Sequence, residues 1–258
     1  MTWPEDGQKL DRVRAALRAD DLDALVVRAP DNVLYLTNYQ SMKGYDLAVF
    51  PQEGDPTLIV IEPQLEEATR TAWTPDVRPF RGYDESDPRP PPARALGVAL
   101  AVARERGRDG RIGVELSQGT QGADLMVGEP TTPTAGFFAA FPGAVDASPL
   151  LAGARMIKTP QEIERMRIAN EVAARAMEHV RHELRPGMRE VEAAALWEAH
   201  VHGLGGLVDE RVENVRGYSL VWSGPGIRTF TATGTRPVQA DQPTLFEIWV
   251  SADGYWCD

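Results

Sequence analysis

The sequence predicts an α/β fold in two parts: a mixed sheet with helices on its faces, then a smaller α+β region that ends in a β-hairpin. Three observations carry this expectation. Up to about residue 150, short runs of aliphatic and β-branched residues alternate with segments of helical period. Beyond residues 150–158 the pattern changes to long helices. Near residue 258, Asp253-Gly254 separates two runs rich in β-branched and aromatic residues, a signature of the tight turn that needs positive φ at both central positions.

In chain order, residues 5–20 have the spacing of an amphipathic helix, with Leu10, Val13 and Leu17 on one side. Residues 22–27 follow as a buried strand, and Asp31-Asn32 is placed to cap a short helix through Val33, Leu34 and Leu36. Residues 47–50 and 57–61 are two further strands joined by a turn-forming Pro-Gln-Glu-Gly-Asp-Pro segment. A helix is expected over 62–72 and a strand over 77–80. Pro88, Pro90, Pro91 and Pro92 stiffen the approach to a helix at about 93–106. Strands at 111–115 and 144–146, with irregular sequence between them, complete the first domain, taken as 1–152.

The second domain, 153–258, opens with Thr159-Pro-Gln-Glu162, a capping box with proline at the first helical position. The helix that follows keeps Ile163, Met166, Ala169, Ala173, Met177 and Val180 on one face until Pro186-Gly187 ends it. A second helix runs from Arg189 to His202, and strands begin at Tyr218. In the terminal hairpin Ala252 should face Tyr255 and Trp249 should face Asp258. Alternation then gives an apolar face (Phe246, Ile248, Val250, Tyr255, Cys257) and a mixed face (Glu247, Trp249, Ser251, Trp256, Asp258). Glu247 becomes the diagonal neighbour of Asp258, roughly 7–8 Å away by backbone position, so two carboxylates converge toward one cation.

Composition limits the function classes. A net charge of −11 argues against a nucleic-acid backbone or an anionic membrane as the main partner. The single cysteine, Cys257, allows neither an internal disulfide nor a cysteine-based zinc site, and its apolar face makes it a buried, inert thiol. The start, Met-Thr-Trp-Pro-Glu-Asp, lacks the order of a signal peptide, and a cytoplasmic protein is expected. His179 and His182 read as a solvated helix face, and His200 and His202 form no zinc motif. Arg228 reads as an ordinary ion-pairing residue. Trp222, Trp249 and Trp256 either wall a pocket or pack a core.

Several segments, in order, resemble the creatinase/aminopeptidase P family of pita-bread metallohydrolases, which includes the Xaa-Pro dipeptidases. They are Asp31-Asn-Val-Leu-Tyr-Leu-Thr-Asn-Tyr39, Met156 through Asn170, Leu184-Arg-Pro-Gly-Met-Arg-Glu-Val-Glu192, Ser223-Gly-Pro, Thr235-Arg-Pro-Val-Gln239, and the hairpin ending at Asp258. The resemblance implies a creatinase-like, mixed-sheet N-terminal domain that shapes the substrate entrance and mediates dimers. It implies an incomplete pita-bread catalytic domain after it. The family site holds two divalent ions (Mn, Co, Zn or Fe) between two hairpin Asp, a later His and two later Glu, and acts on small peptides or amides. Here the first hairpin position is Glu247 and only Asp258 matches in type. The family's upstream histidine would fall near Phe230-Thr231. The later His and Glu are not among the 258 residues, so this chain is expected not to hydrolyse by itself and to bind no complete metal set. The alternatives are a non-hydrolytic pseudoenzyme, a dimerising or binding module, or a non-peptidase relative of creatinase or ectoine hydrolase type. An apolar hairpin edge left uncovered is further expected to favour homodimers.

Overall fold

A computed structural model describes residues 2–258 apart from 43, 106–109, 117–133 and 230. The chain divides into two compact units, Thr2–Thr159 and Pro160–Asp258.

The first unit is built on a six-stranded mixed sheet in the order β4-β3-β2-β1-β5-β6. Its strands are β1 (Ala24–Val27), β2 (Leu47–Pro51), β3 (Thr57–Ile61), β4 (Asp76–Phe80), β5 (Ile112–Val114) and β6 (Val145–Asp146). β1 and β2, and β2 and β3, pair antiparallel; β1–β5, β3–β4 and β5–β6 pair parallel. The sequence placed all six strands. β1, β2 and β3 are buried at every position because both sheet faces are covered, which is why they read as unbroken apolar runs. Alternation sends Leu25, Val27, Ala48, Phe50, Leu58 and Val60 into a core with α1 (Gly7–Ala19), α2 (Pro30–Thr37), α3 (Leu65–Thr71) and α6 (Ser148–Met156). Val26, Leu47, Val49, Ile59 and Ile61 go to the opposite core, under α4 (Pro91–Glu105) and α5 (Thr134–Ala139).

Two local details differ from the sequence reading. Asp31 and Asn32 do not cap α2; the helix starts at Pro30, and both lie in its first turn. The amides at this end are answered from β5's side instead: the Glu115 carboxylate accepts from Arg28 N, from Ala29 N (2.6 Å) and from Asn32 Nδ2 (2.7 Å). The segment 62–72 is split, with a 3₁₀ turn over Glu62–Gln64 before α3. The irregular stretch expected after Glu115 falls largely outside the described residues. Lys9, on α1, is 1% exposed, with its Nζ 4.6 Å from the Tyr35 ring centre and 4.7 Å from that of Trp73.

The second unit has two helices, α7 (Pro160–Glu183) and α8 (Glu190–Gly203), packed on an antiparallel sheet. The sheet order is β7-β8-β9, with β7 at Val215–Ser223, β8 at Thr244–Ala252 and β9 at Tyr255–Cys257. α8 lies on β7, and α7 lies on β8 and β9. The approach of α8 is close at Gly217, where a Cβ would meet Val201 Cγ1 at 2.8 Å and the Trp197 ring at 3.1 Å. Trp197 and Val201 are fully buried there.

The buried stripe of α7 is not the one the period suggested. Ile163 is 56% exposed, whereas Glu162, Arg165, Ile168, Val172 and Ala176 join Ala169, Ala173 and Val180 in the interior. The stripe is shifted because two polar side chains belong to it. Among the described residues, no helix is long and apolar enough to cross a membrane.

Candidate metal-ligand hairpin

The hairpin forms in the register that the Asp-Gly turn dictates. Val250 pairs with Cys257, Ser251 with Trp256 and Ala252 with Tyr255. Asp253 and Gly254 have φ of 46° and 79°, the positive values such a turn requires. Across the other edge of β8, Tyr218 pairs with Trp249, Leu220 with Glu247 and Gly217 with Val250.

Gly217 and Ser219 identify the face under the helices, since Gly217 meets α8 and Ser219 Oγ donates to Glu198 Oε1 at 3.0 Å. Phe246, Ile248, Val250, Ala252, Tyr255 and Cys257 share that face by alternation. The apolar face of the hairpin is therefore covered by helices, and β9 is an edge strand of the sheet. The Cys257 thiol is pushed up to about 11, chiefly by burial, which keeps it protonated and unreactive.

Glu247, Trp249, Ser251 and Trp256 lie on the opposite face, and continuing the strand places Asp258 there with them. Glu247 is half-buried and Asp258 is exposed. Trp249 does not pack in the helix-facing core: its ring stacks on Tyr218 with centroids 5.4 Å apart and planes at 28°. Trp222 is fully buried and donates its indole N–H to the Thr231 carbonyl at 3.2 Å. Phe230 lies outside the described residues, and Thr231 is occupied with Trp222 and the Arg228 carbonyl. Arg228 is exposed and makes no ion pair among the described residues.

The histidines are apart from this face. His182 pairs with Glu178 at 3.0 Å, and His179 stacks on His200 with ring centroids 4.0 Å apart. Burial, and then the neighbouring His179, hold His200 below the ordinary imidazole range. Among the described residues, no three His, Cys, Asp or Glu side chains are grouped to hold a metal ion.

Sequence reasoning passed over one buried carboxylate close to the hairpin. Glu190, in the first turn of α8, is 0% exposed. Its Oε1 accepts from Ser223 N at 2.8 Å and from Arg236 Nη2 at 3.1 Å, and its Oε2 accepts from Gly234 N and Arg236 Nε, both at 3.3 Å. It ties the end of β7 to the loop that leads into β8. The usable signal was an acidic residue one place after Arg189, inside a cap already closed by Glu192 Oε2 on Arg189 N at 2.8 Å.

Comparison with known proteins bears on the whole chain. Residues 9–168 match the Creatinase/Prolidase N-terminal domain. The chain belongs to the creatinase/prolidase family. Residues 164–258 match Metallopeptidase family M24. An uncharacterized hydrolase/peptidase of Sinorhizobium fredii is 30% identical over 201 residues, covering 76% of this chain and 50% of its own length. The ectoine hydrolase of Halomonas elongata is 27% identical over 195 residues, covering 73% and 46%. The chain thus spans about half the length of these curated creatinase/prolidase relatives. The prolidase from Pyrococcus furiosus superposes with a TM-score of 0.66 at 17% identity, over 95% of this chain and 66% of its own, a likeness of fold.

Proposed function

We propose that this chain carries the hairpin half of a divalent-metal site in a hydrolase of the Xaa-Pro peptidase and creatinase kind, cleaving an amide bond of a small proline-containing peptide. Glu247 and Asp258 are the metal ligands, and 1–152 and 153–258 are the entrance-shaping and catalytic domains. The observation that carries this reading is the β7–β8–β9 register, from which alternation expects Glu247, and Asp258 one residue past β9, on the face turned away from α7 and α8. Two carboxylates are hard oxygen donors that suit Mn, Co, Zn or Fe as divalent ions. They cannot close a coordination sphere, and no third donor joins them among the described residues. A bound metal of this kind polarises the carbonyl and activates water. This chain's own part is to present two carboxylates on one face of the β8–β9 hairpin, and no further step is assigned to it.

The likeness to an ectoine hydrolase, together with glutamate where the resemblance places aspartate, supports a second reading in which the substrate is a non-peptide amide.

Purified chain titrated with Mn²⁺ or Co²⁺ is expected to bind one ion weakly. Asp258→Asn should weaken binding about ten-fold or more, and Glu247→Gln less, because the longer arm is the substituted position. Turnover of Xaa-Pro dipeptides and of ectoine is measured alongside. Stoichiometric binding of two ions with turnover would overturn the half-site reading. Binding that both variants leave unchanged would overturn the ligand assignment.

A further inference from the structure

The turn of the hairpin is gripped from two sides by groups that the metal reading does not use. Arg165, on α7, is 3% exposed, and its guanidinium carbon lies 4.2 Å from the centre of the Tyr255 ring. Its Nη2 donates to the Asp253 carbonyl at 3.1 Å. The Tyr255 hydroxyl reaches Glu162 Oε1 at 3.4 Å, and Glu162 is itself buried on α7. From the opposite side, the Asp253 carboxylate accepts from Asn214 N at 2.8 Å and Glu213 N at 3.1 Å. Asp253 N donates in return to the Asn214 carbonyl at 2.8 Å.

This grip matters because β9 is only three residues long and meets β8 through three residue pairs. Side chains alternate strictly, so a slip of one residue would turn Asp258 toward the helices and bring Cys257 to the open face. Three pairs resist such a slip poorly, whereas a buried cation seated on the first aromatic ring of β9 and bonded to the turn carbonyl admits one register only.

We propose that Arg165 is a positioning residue: by clamping Asp253 and Tyr255 it fixes the β8–β9 register that sets Asp258 on the same face as Glu247. The proposal rests on the reading of these two carboxylates as metal ligands.

The test is NMR on the full 258-residue chain, reading cross-strand contacts between Val250 and Cys257 and between Ala252 and Tyr255, with Mn²⁺ broadening of the hairpin signals as the metal readout. Arg165→Leu is expected to lose these contacts and to weaken Mn²⁺ binding about ten-fold or more, as removal of outer supports of metal ligands does, while the Thr2–Thr159 unit melts as before. Arg165→Lys keeps a cation over the ring and should recover most of both signals, a rescue that simple packing loss would not give. If Arg165→Leu fails to fold, Tyr255→Leu removes the same clamp from the strand side and should show the same losses. Folded Arg165→Leu or Tyr255→Leu chains with unchanged register and unchanged Mn²⁺ affinity overturn the proposal. If Mn²⁺ does not broaden Glu247 and Asp258 in the unsubstituted chain, the ligand reading falls, and the register contacts still decide whether Arg165 sets the strand.

Discussion

Glu115→Ala is expected to lower the unfolding free energy of the Thr2–Thr159 unit by about 3–5 kcal/mol at pH 5. The carboxylate is 1% exposed and answers two backbone amides and the Asn32 side chain at the start of α2. Alanine leaves all three donors buried without an acceptor. The loss should depend on pH in a definite direction. Burial pushes Glu115 up from 4.5 to about 7, against the pull of its donors. Between those values the folded chain holds a proton that the unfolded chain has released. The associated stability is complete below 4.5 and declines as pH rises through about 7. The cost of Glu115→Ala should therefore be smaller at pH 8 than at pH 5. Urea unfolding followed by amide exchange in β1 and β5 measures both; a cost that grows toward pH 8 contradicts the argument.

Glu190→Ala should be comparably severe for the Pro160–Asp258 unit, at about 3–5 kcal/mol, because it removes the carboxylate that Arg236 faces and takes the acceptor from the buried Ser223 amide and the part-buried Gly234 amide together. Its effect has a place as well as a size. Ser223 closes β7 and Gly234 lies in the loop leading to β8, so their amides should exchange faster than those of Val250 or Ala252. Glu190→Gln retains one acceptor and should fall between the two. Chemical denaturation with residue-resolved exchange decides it. Uniformly faster exchange across the unit would show that Glu190 supports the whole sheet and not this junction.

The residues that carry these two effects were the ones hardest to read from the sequence. Strands β1 to β3 announce themselves because both faces of the sheet are covered, and the hairpin does so because Asp253-Gly254 admits few other conformations. Glu115 answers Arg28 and Ala29 from 87 and 86 positions away, and Glu190 answers Ser223 and Arg236 from 33 and 46 positions away. No local pattern encodes such a pairing. Arg165 left a trace: it interrupts the true buried stripe of α7, and that stripe was misread by about one position because charged residues were assigned to solvent. The face on which Glu247 and Asp258 emerge was legible, since it follows from alternation and the turn alone. What pins that turn was not, because α7 lies some 90 residues before it, well outside the reach of sequence periodicity.

The placement of Lys9 has a chemical consequence of its own. The sequence has three lysines, at positions 9, 43 and 158. One of them is sealed between Tyr35 and Trp73, while Lys158 stands exposed. Nearly all of the positive charge is carried by arginine, which amine-directed reagents do not touch. An acylating reagent therefore finds very few handles on this protein, and the rate at which it reaches Lys9 reports how often the packing of Tyr35 and Trp73 around it opens.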